Sequence, residues 1–368
     1  MNTKVLIKYN ELKFIRDKNK LISYLQENYT FFGTKLKLMG FITTLSIQNL
    51  EQLFLNNGFN CNLNEEILQC SVLIKEQNKT RNLEFFCVLD PKSEKLIIFT
   101  FIASSDLYII ERVISNSSNI SYLWISPKTL DELKDEIIDS NEDTRITGFT
   151  AKRFDNMKER CQIRPWFKRS FRYGGDDGKE TLKELRINYG VLPRVIQFKI
   201  SKVAEFKINF RGIFTFSNGD LTYVLGLLDY AFNNILETKR NLEISKYSIV
   251  HENKKFREFY FEKIIPVSIN LSSTLSANTA TDLINQIINS NIFFPINYSI
   301  IEGSLYFTST ILDKVTNETF RISSNGEEII LVKDKTTSFA SMIKFFQFII
   351  ERVDVDAGIS KIKDESRL

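Results

Sequence analysis

Three features of the 368-residue sequence predict an α+β fold of antiparallel sheets with helices packed on one face. Strand formers on both sides of Asp90-Pro91-Lys92-Ser93-Glu94 read as a hairpin. A plan of strand, turn, strand and long helix occurs twice at a constant offset. Apolar residues at helical spacing follow each of those hairpins. Hairpins of this kind build antiparallel sheet, which packs helices on one face and leaves the other free.

The elements follow in order. Residues 1–10 read as a short strand, and Glu11–Glu27 as a helix carrying Leu12, Ile15, Leu21 and Leu25. Ile47–Leu55 is a second helix, stopped by Asn56-Asn57-Gly58. Residues 59–82 show no clear period. Leu83–Leu89 and Lys95–Ile102 are the hairpin strands, and Ser105-Asp106 opens a helix to about Val113. Tyr122–Ile125 reads as a strand, and Ser126-Pro127 starts the helix Lys128–Ile138, since proline suits the first helical turn. Lys179–Ile187 is a short helix, followed by strands at Val195–Ile200, Glu205–Phe210 and Ile213–Phe216 and a helix over Leu221–Leu236.

The polar run Ser140-Asn141-Glu142-Asp143 suggests a boundary. It divides the chain into an N-terminal α+β domain (1–145), a repeat-containing α+β domain (146–353) and a charged C-terminal tail (354–368). Within the second, Phe206-Lys207-Ile208, Gly212 and Asp220 recur as Phe320-Arg321-Ile322, Gly326 and Asp334, each displaced by 114 positions. Ile109-Ile110-Glu111-Arg112-Val113 also recurs as Ile349-Ile350-Glu351-Arg352-Val353, which is either coincidence between apolar helices or the mark of a third copy around 83–140.

The two stretches FKINFRGIFTFSNGD and FRISSNGEEIILVKD, each with its helix, carry a resemblance. Over about 160–353 the plan resembles the saddle-shaped TATA-box-binding-protein-like fold, in which two such repeats form one continuous sheet. The resemblance implies a curved sheet able to meet DNA or RNA. The apolar wedges and the Asn and Val residues of that family have no residue-by-residue match here, so TATA-box recognition is not implied.

The formal charge of +4 is too small to name a partner, but it is unevenly placed. Residues 151–173 carry eight basic and two acidic groups, a net of +6, leaving the rest near −2. Lys152, Arg153, Arg160, Arg164, Lys168, Arg169 and Arg172 are the expected phosphate contacts. Trp166, Phe171 and Tyr173 are the rings expected to meet bases or sugars. The competing reading is a solvated charged face with Ile163, Trp166 and Phe167 in the core. Lys254, Lys255 and Arg257 beside His251 form a smaller cluster, read as a lysine-rich loop or a phosphate-steering one.

The chain lacks GxxxxGK[ST], GxGxxG and GxSxG, and it has one histidine, His251. Cys61, Cys70, Cys87 and Cys161 have no CxxC spacing, so reduced thiols in a cytoplasmic protein are expected rather than a zinc site. No signal-peptide core or membrane-length apolar run is seen, and no cofactor or metal is called for. The expected function is therefore non-catalytic nucleic-acid binding, to DNA or RNA. The alternatives are a protein–protein scaffold in a microbial complex, such as a defence assembly, and a metal-dependent nuclease using Asp177, Glu205 and Lys207.

Overall fold

The computed structural model describes residues 11–76, 79–154, 161–164, 166–254, 257–275, 277–300 and 306–360. Its antiparallel sheets and helices make an α+β fold. The chain divides into two compact units, residues 1–153 with 160–235 and residues 236–368 with 154–159.

In the first unit, α1 spans Lys18–Asn28. The Asp17 carboxylate accepts the Lys20 backbone N–H at 2.9 Å, which fixes a start later than the predicted Glu11. β1 (Leu36–Thr43) is buried at every position. α2 (Ile47–Asn56) is capped by Ser46, as its sequence suggests. The aperiodic stretch from 59 holds β2 (Asn60–Asn64), β3 (Ile67–Glu76) and the start of β4 (Lys79–Asp90), which turns at 90–94 into β5 (Lys95–Thr100). α3 (Tyr108–Ser115) and β6 (Ile120–Tyr122) follow, the strand two residues earlier than expected. α4 (Pro127–Ser140) has proline in its first turn and the Ser126 hydroxyl accepting the Thr129 N–H at 3.0 Å.

The chain continues as β7 (Thr144–Arg153), β8 (Ser170–Gly174), α5 (Gly178–Tyr189), β9 (Val191–Ile200), β10 (Ala204–Asn209), β11 (Ile213–Gly219) and α6 (Leu221–Leu242). One antiparallel sheet runs β2-β3-β4-β5-β1-β11-β10-β9-β7-β8, with β6 also on β1. β1 and β11 pair from Leu36 opposite Phe216 to Met39 opposite Ile213. That ladder joins strands from both sides of residue 145, so the expected boundary there is replaced by the division at 235.

The second unit holds the hairpin β12 (Lys246–Lys254) and β13 (Arg257–Ile265). It also holds β14 (Val267–Asn270), α7 (Ala277–Ile288), β15 (Phe293–Ile300), β16 (Phe307–Asp313), β17 (Glu318–Ser324), β18 (Glu328–Lys333), α8 (Phe339–Arg352) and β19 (Gly358–Ser360). Its sheet order is β15-β16-β17-β18-β14-β19. Phe293 meets Phe320, Phe345 and Phe348 edge to face at its core, as Phe320 meets Phe345, with centroids 5.0–6.0 Å apart. The expected tail from 354 is partly structural. Asp354 is buried and accepts the Ser272 hydroxyl at 2.9 Å, and 358–360 form an edge strand.

Three copies of a helix, four-strand, helix plan are visible. They are α2, β2–β5 and α3; α4, β7, β9, β10, β11 and α6, with β8 and α5 inserted; and α7, β15–β18 and α8. The recurring Ile-Ile-Glu-Arg-Val lies on α3 and α8, the closing helices of the first and third copies. Gly212 and Gly326 sit in equivalent hairpin turns at φ of 68° and 97°. A Cβ at Gly212 would lie 2.2 Å from the Leu123 carbonyl oxygen. The pair that carried the saddle resemblance is nevertheless split, because β10–β11 belong to the larger sheet and β17–β18 to the six-stranded one. The two copies that do share one sheet are the first and second, joined through β1 and β11.

Candidate nucleic-acid interface

Directly opposed residues in an antiparallel pair project to the same face, and successive residues alternate. In β7, β9, β10 and β11 one face is packed with Ile146, Phe149, Ile196, Phe198, Phe206, Ile208, Phe214 and Phe216. The Phe198 and Phe206 rings stack at 5.3 Å, and Tyr223 of α6 meets Phe206. α4 and α5 pack on β7 and β9, and the Arg186–Asp131 ion pair ties one helix to the other.

The opposite face is open and basic. Arg145, Lys199 and Glu205 form one cross-strand row. Gly148, Gln197, Lys207, Thr215 and Lys37 form the next. Arg172, Thr150, Val195 and Asn209 form a third, and Ser170 with Lys152 a fourth. Arg145, Arg172 and Lys199 are exposed, and Lys152 and Lys207 are half-buried. Five exposed or half-buried cations thus share this face with one carboxylate, Glu205, and the buried Lys37 is a sixth. Among the described residues no ion pair engages Arg145, Arg172, Lys199 or Lys207.

Lys37 closes the second row inside the molecule. It is buried, and its ammonium donates to the Ile102 carbonyl at 2.5 Å. Burial, and then the nearby Lys207 charge, push its pKa down from 10.5.

Residues 161–164 and 166–169 lie between the end of β7 and the start of β8. Arg153, expected to meet phosphate, is instead 5% exposed and holds the loop from beneath. Its Nη1 donates to the Arg164 carbonyl and to Cys161 Sγ, both at 3.1 Å, and its backbone N–H donates to the Arg169 carbonyl at 2.9 Å. Its Nη2 is buried with no hydrogen-bond partner among the described residues. Arg164 is exposed, and its left-handed backbone (φ 48°) turns that carbonyl inward. The Ile163 N–H donates to the Asn188 carbonyl at 2.9 Å, a second tether. Beyond these tethers Trp166 is 83% exposed and Phe167 62% exposed. The reading that placed Ile163, Trp166 and Phe167 in the core is therefore corrected.

Other expected contacts divide between the faces. Lys168 is exposed on the loop. Arg169 is half-buried, its guanidinium 5.6 Å over the Tyr189 ring. Phe171 packs 5.1 Å from the same ring. Tyr173 stacks on Phe149 at 5.0 Å, and its hydroxyl donates to Asp177. Phe171 and Tyr173 are thus held on the helix side, opposite Arg172, because alternation along β8 separates them. Arg160 lies outside the described residues, as does Lys255 of the smaller basic cluster. Asp177 is committed to Tyr173 and Thr181 at the start of α5. Among the described residues no three His, Cys, Asp or Glu side chains gather as metal ligands. Cys61 and Cys70 face each other across β2–β3 as free thiols, with their Sγ atoms 3.4 Å apart.

The basic run showed only part of this surface. Arg145, Lys199 and Lys207 come from three strands and meet through register alone. The signal was present as polar residues at every second position: Gln197 and Lys199, then Glu205, Lys207 and Asn209.

Residues 128–211 match the model of a family middle domain, a span from α4 to just beyond β10. An uncharacterised protein of Archaeoglobus fulgidus is 24% identical over 257 residues, covering 67% of this chain and 69% of the relative. The family stretch includes β7–β10 and the loop, so the open basic face and its aromatic tip lie on the matched segment. Among the described residues no helix is long and apolar enough to cross a membrane.

Proposed function

We propose that this protein binds nucleic acid through the open face of β7–β10, with no chemical step. The observation that carries the reading is the row pattern itself. Arg145, Arg172, Lys199 and Lys207 share one sheet face without ion-pair partners among the described residues, beside a single carboxylate. Such cations neutralise phosphates and release counterions, giving affinity that falls as salt rises.

Charge reversal tests the site. The triple variant Arg172→Glu, Lys199→Glu and Lys207→Glu changes surface residues and keeps the core. Fluorescence anisotropy with a labelled oligonucleotide at low salt should show the parent binding and the variant losing at least tenfold. Equal affinity in the two proteins removes this face from the account.

A second reading, a scaffold for a protein partner, is favoured by one observation. β15 is an edge strand, and it leaves Phe294, Ile296 and Tyr298 exposed.

A further inference from the structure

We infer that the ligand is a single strand, with a base stacked on Trp166 and its backbone crossing β7–β10. This rests on the reading of the basic face given above and adds the ligand class. An exposed tryptophan forgoes burial worth about as much as a core side chain. In this loop the exposure is built in. Arg153, from beneath, holds the Arg164 and Arg169 carbonyls; Asn188 holds the Ile163 N–H; and the Phe167 N–H donates to the Arg164 carbonyl at 3.3 Å. Trp166 and Phe167 therefore project from a braced turn and not from a slack one.

The position of the rings follows from the chain. Trp166 is four residues before Ser170, which opposes Lys152, and six before Arg172. At about 3.4 Å per residue the Trp166 backbone lies within roughly 20 Å of the Arg172 backbone. Phosphates on the cationic rows and a base on Trp166 can then belong to one short stretch of strand. A duplex keeps its base faces stacked inside, so it offers the cations a partner and the tryptophan none. Unpaired bases offer both, and stacking on an aromatic ring tolerates any base. Phosphate attraction alone does not distinguish the two ligands; the ring does.

The full-length chain is titrated at low salt with a labelled 12-nucleotide single strand and with the same sequence as a blunt duplex. Anisotropy and tryptophan emission are read together. Trp124 is buried and provides the constant background. Single strand should bind at least tenfold more tightly than duplex and should quench emission. Trp166→Ala should abolish the quench and weaken single-strand binding about tenfold, while leaving duplex binding unchanged. This variant changes an exposed side chain and keeps the fold. Equal binding of duplex, or an emission unchanged by single strand, overturns the single-strand inference while leaving the basic-face reading standing if the charge-reversed triple variant is still weakened. Binding of neither ligand overturns both. An emission change that follows protein concentration without any oligonucleotide assigns the ring to self-association and overturns the inference as well.

Discussion

Arg153 shows why a basic residue in a basic run need not face a polyanion. Its guanidinium is consumed by the Arg164 carbonyl and Cys161 Sγ, so its role is to hold the loop. Arg153→Met removes the buried donor to the Arg164 carbonyl and Cys161 Sγ and is expected to cost about 1–3 kcal/mol in urea unfolding. Lys168→Met, at an exposed position of the same loop, should stay within about 0.5 kcal/mol. Burial of one arginine in a run of basic groups depends on which strand it ends and what covers that end. Neither is encoded in local composition, so in sequence Arg153 looks like its neighbours. Lys37 is a second residue whose setting decides its behaviour. Its folded pKa is lowered, so between that value and 10.5 the unfolded chain holds the proton more tightly. Stability from this site therefore rises with pH across that window. Denaturation midpoints of Lys37→Met should exceed those of the parent by more at pH 7 than at pH 10; a constant difference contradicts the assignment.

At the scale of elements, the hairpin at 90–94, the caps at Ser46 and Ser126 and the repeated strand–turn–strand–helix plan were legible, because turn and cap chemistry is local. The open face was not, since it depends on which strands become neighbours. Lys199 and Lys207 lie on adjacent strands, yet the cationic face they share is completed by Arg145 and Arg172 from β7 and β8. A β-sheet slip of one residue would send all of them to the core side, so register is strongly specified by Phe198 and Phe206 beneath. Phe206→Ala should cost about 3–5 kcal/mol by leaving a cavity under that face. In the second unit the start of α8 is fixed differently. The Ser341 hydroxyl lies 2.7 Å from both the buried Asp313 and the buried Glu318 carboxylate, with one proton to donate between them, and Ser338 caps the helix. Ser341→Ala removes the hydroxyl donor beside these two buried carboxylates and should lower stability by about 1–3 kcal/mol, read by chemical denaturation. An unchanged midpoint would mean that neither carboxylate depends on it.

On the scale of the whole molecule, three copies of one α–β4–α plan serve different ends. The first and second merge into a single sheet through β1 and β11, and the second leaves a cationic face open. The inserted β8 and the loop before it add the aromatic tip to that copy alone. Net charge gives no hint of this, since +4 over the chain hides a basic patch within a nearly neutral whole. The division at 235, inside a long helix, was equally hidden, because no polar linker marks it. The most direct measurement is lysine acetylation mapped by mass spectrometry with and without a single-stranded oligonucleotide. Lys199 and Lys207 should be protected, while Lys128 and Lys183, exposed on the helices of the other face, react as before. Protection of Lys128 and Lys183, or unchanged labelling of Lys199 and Lys207 in a bound complex, would contradict the assignment of this face.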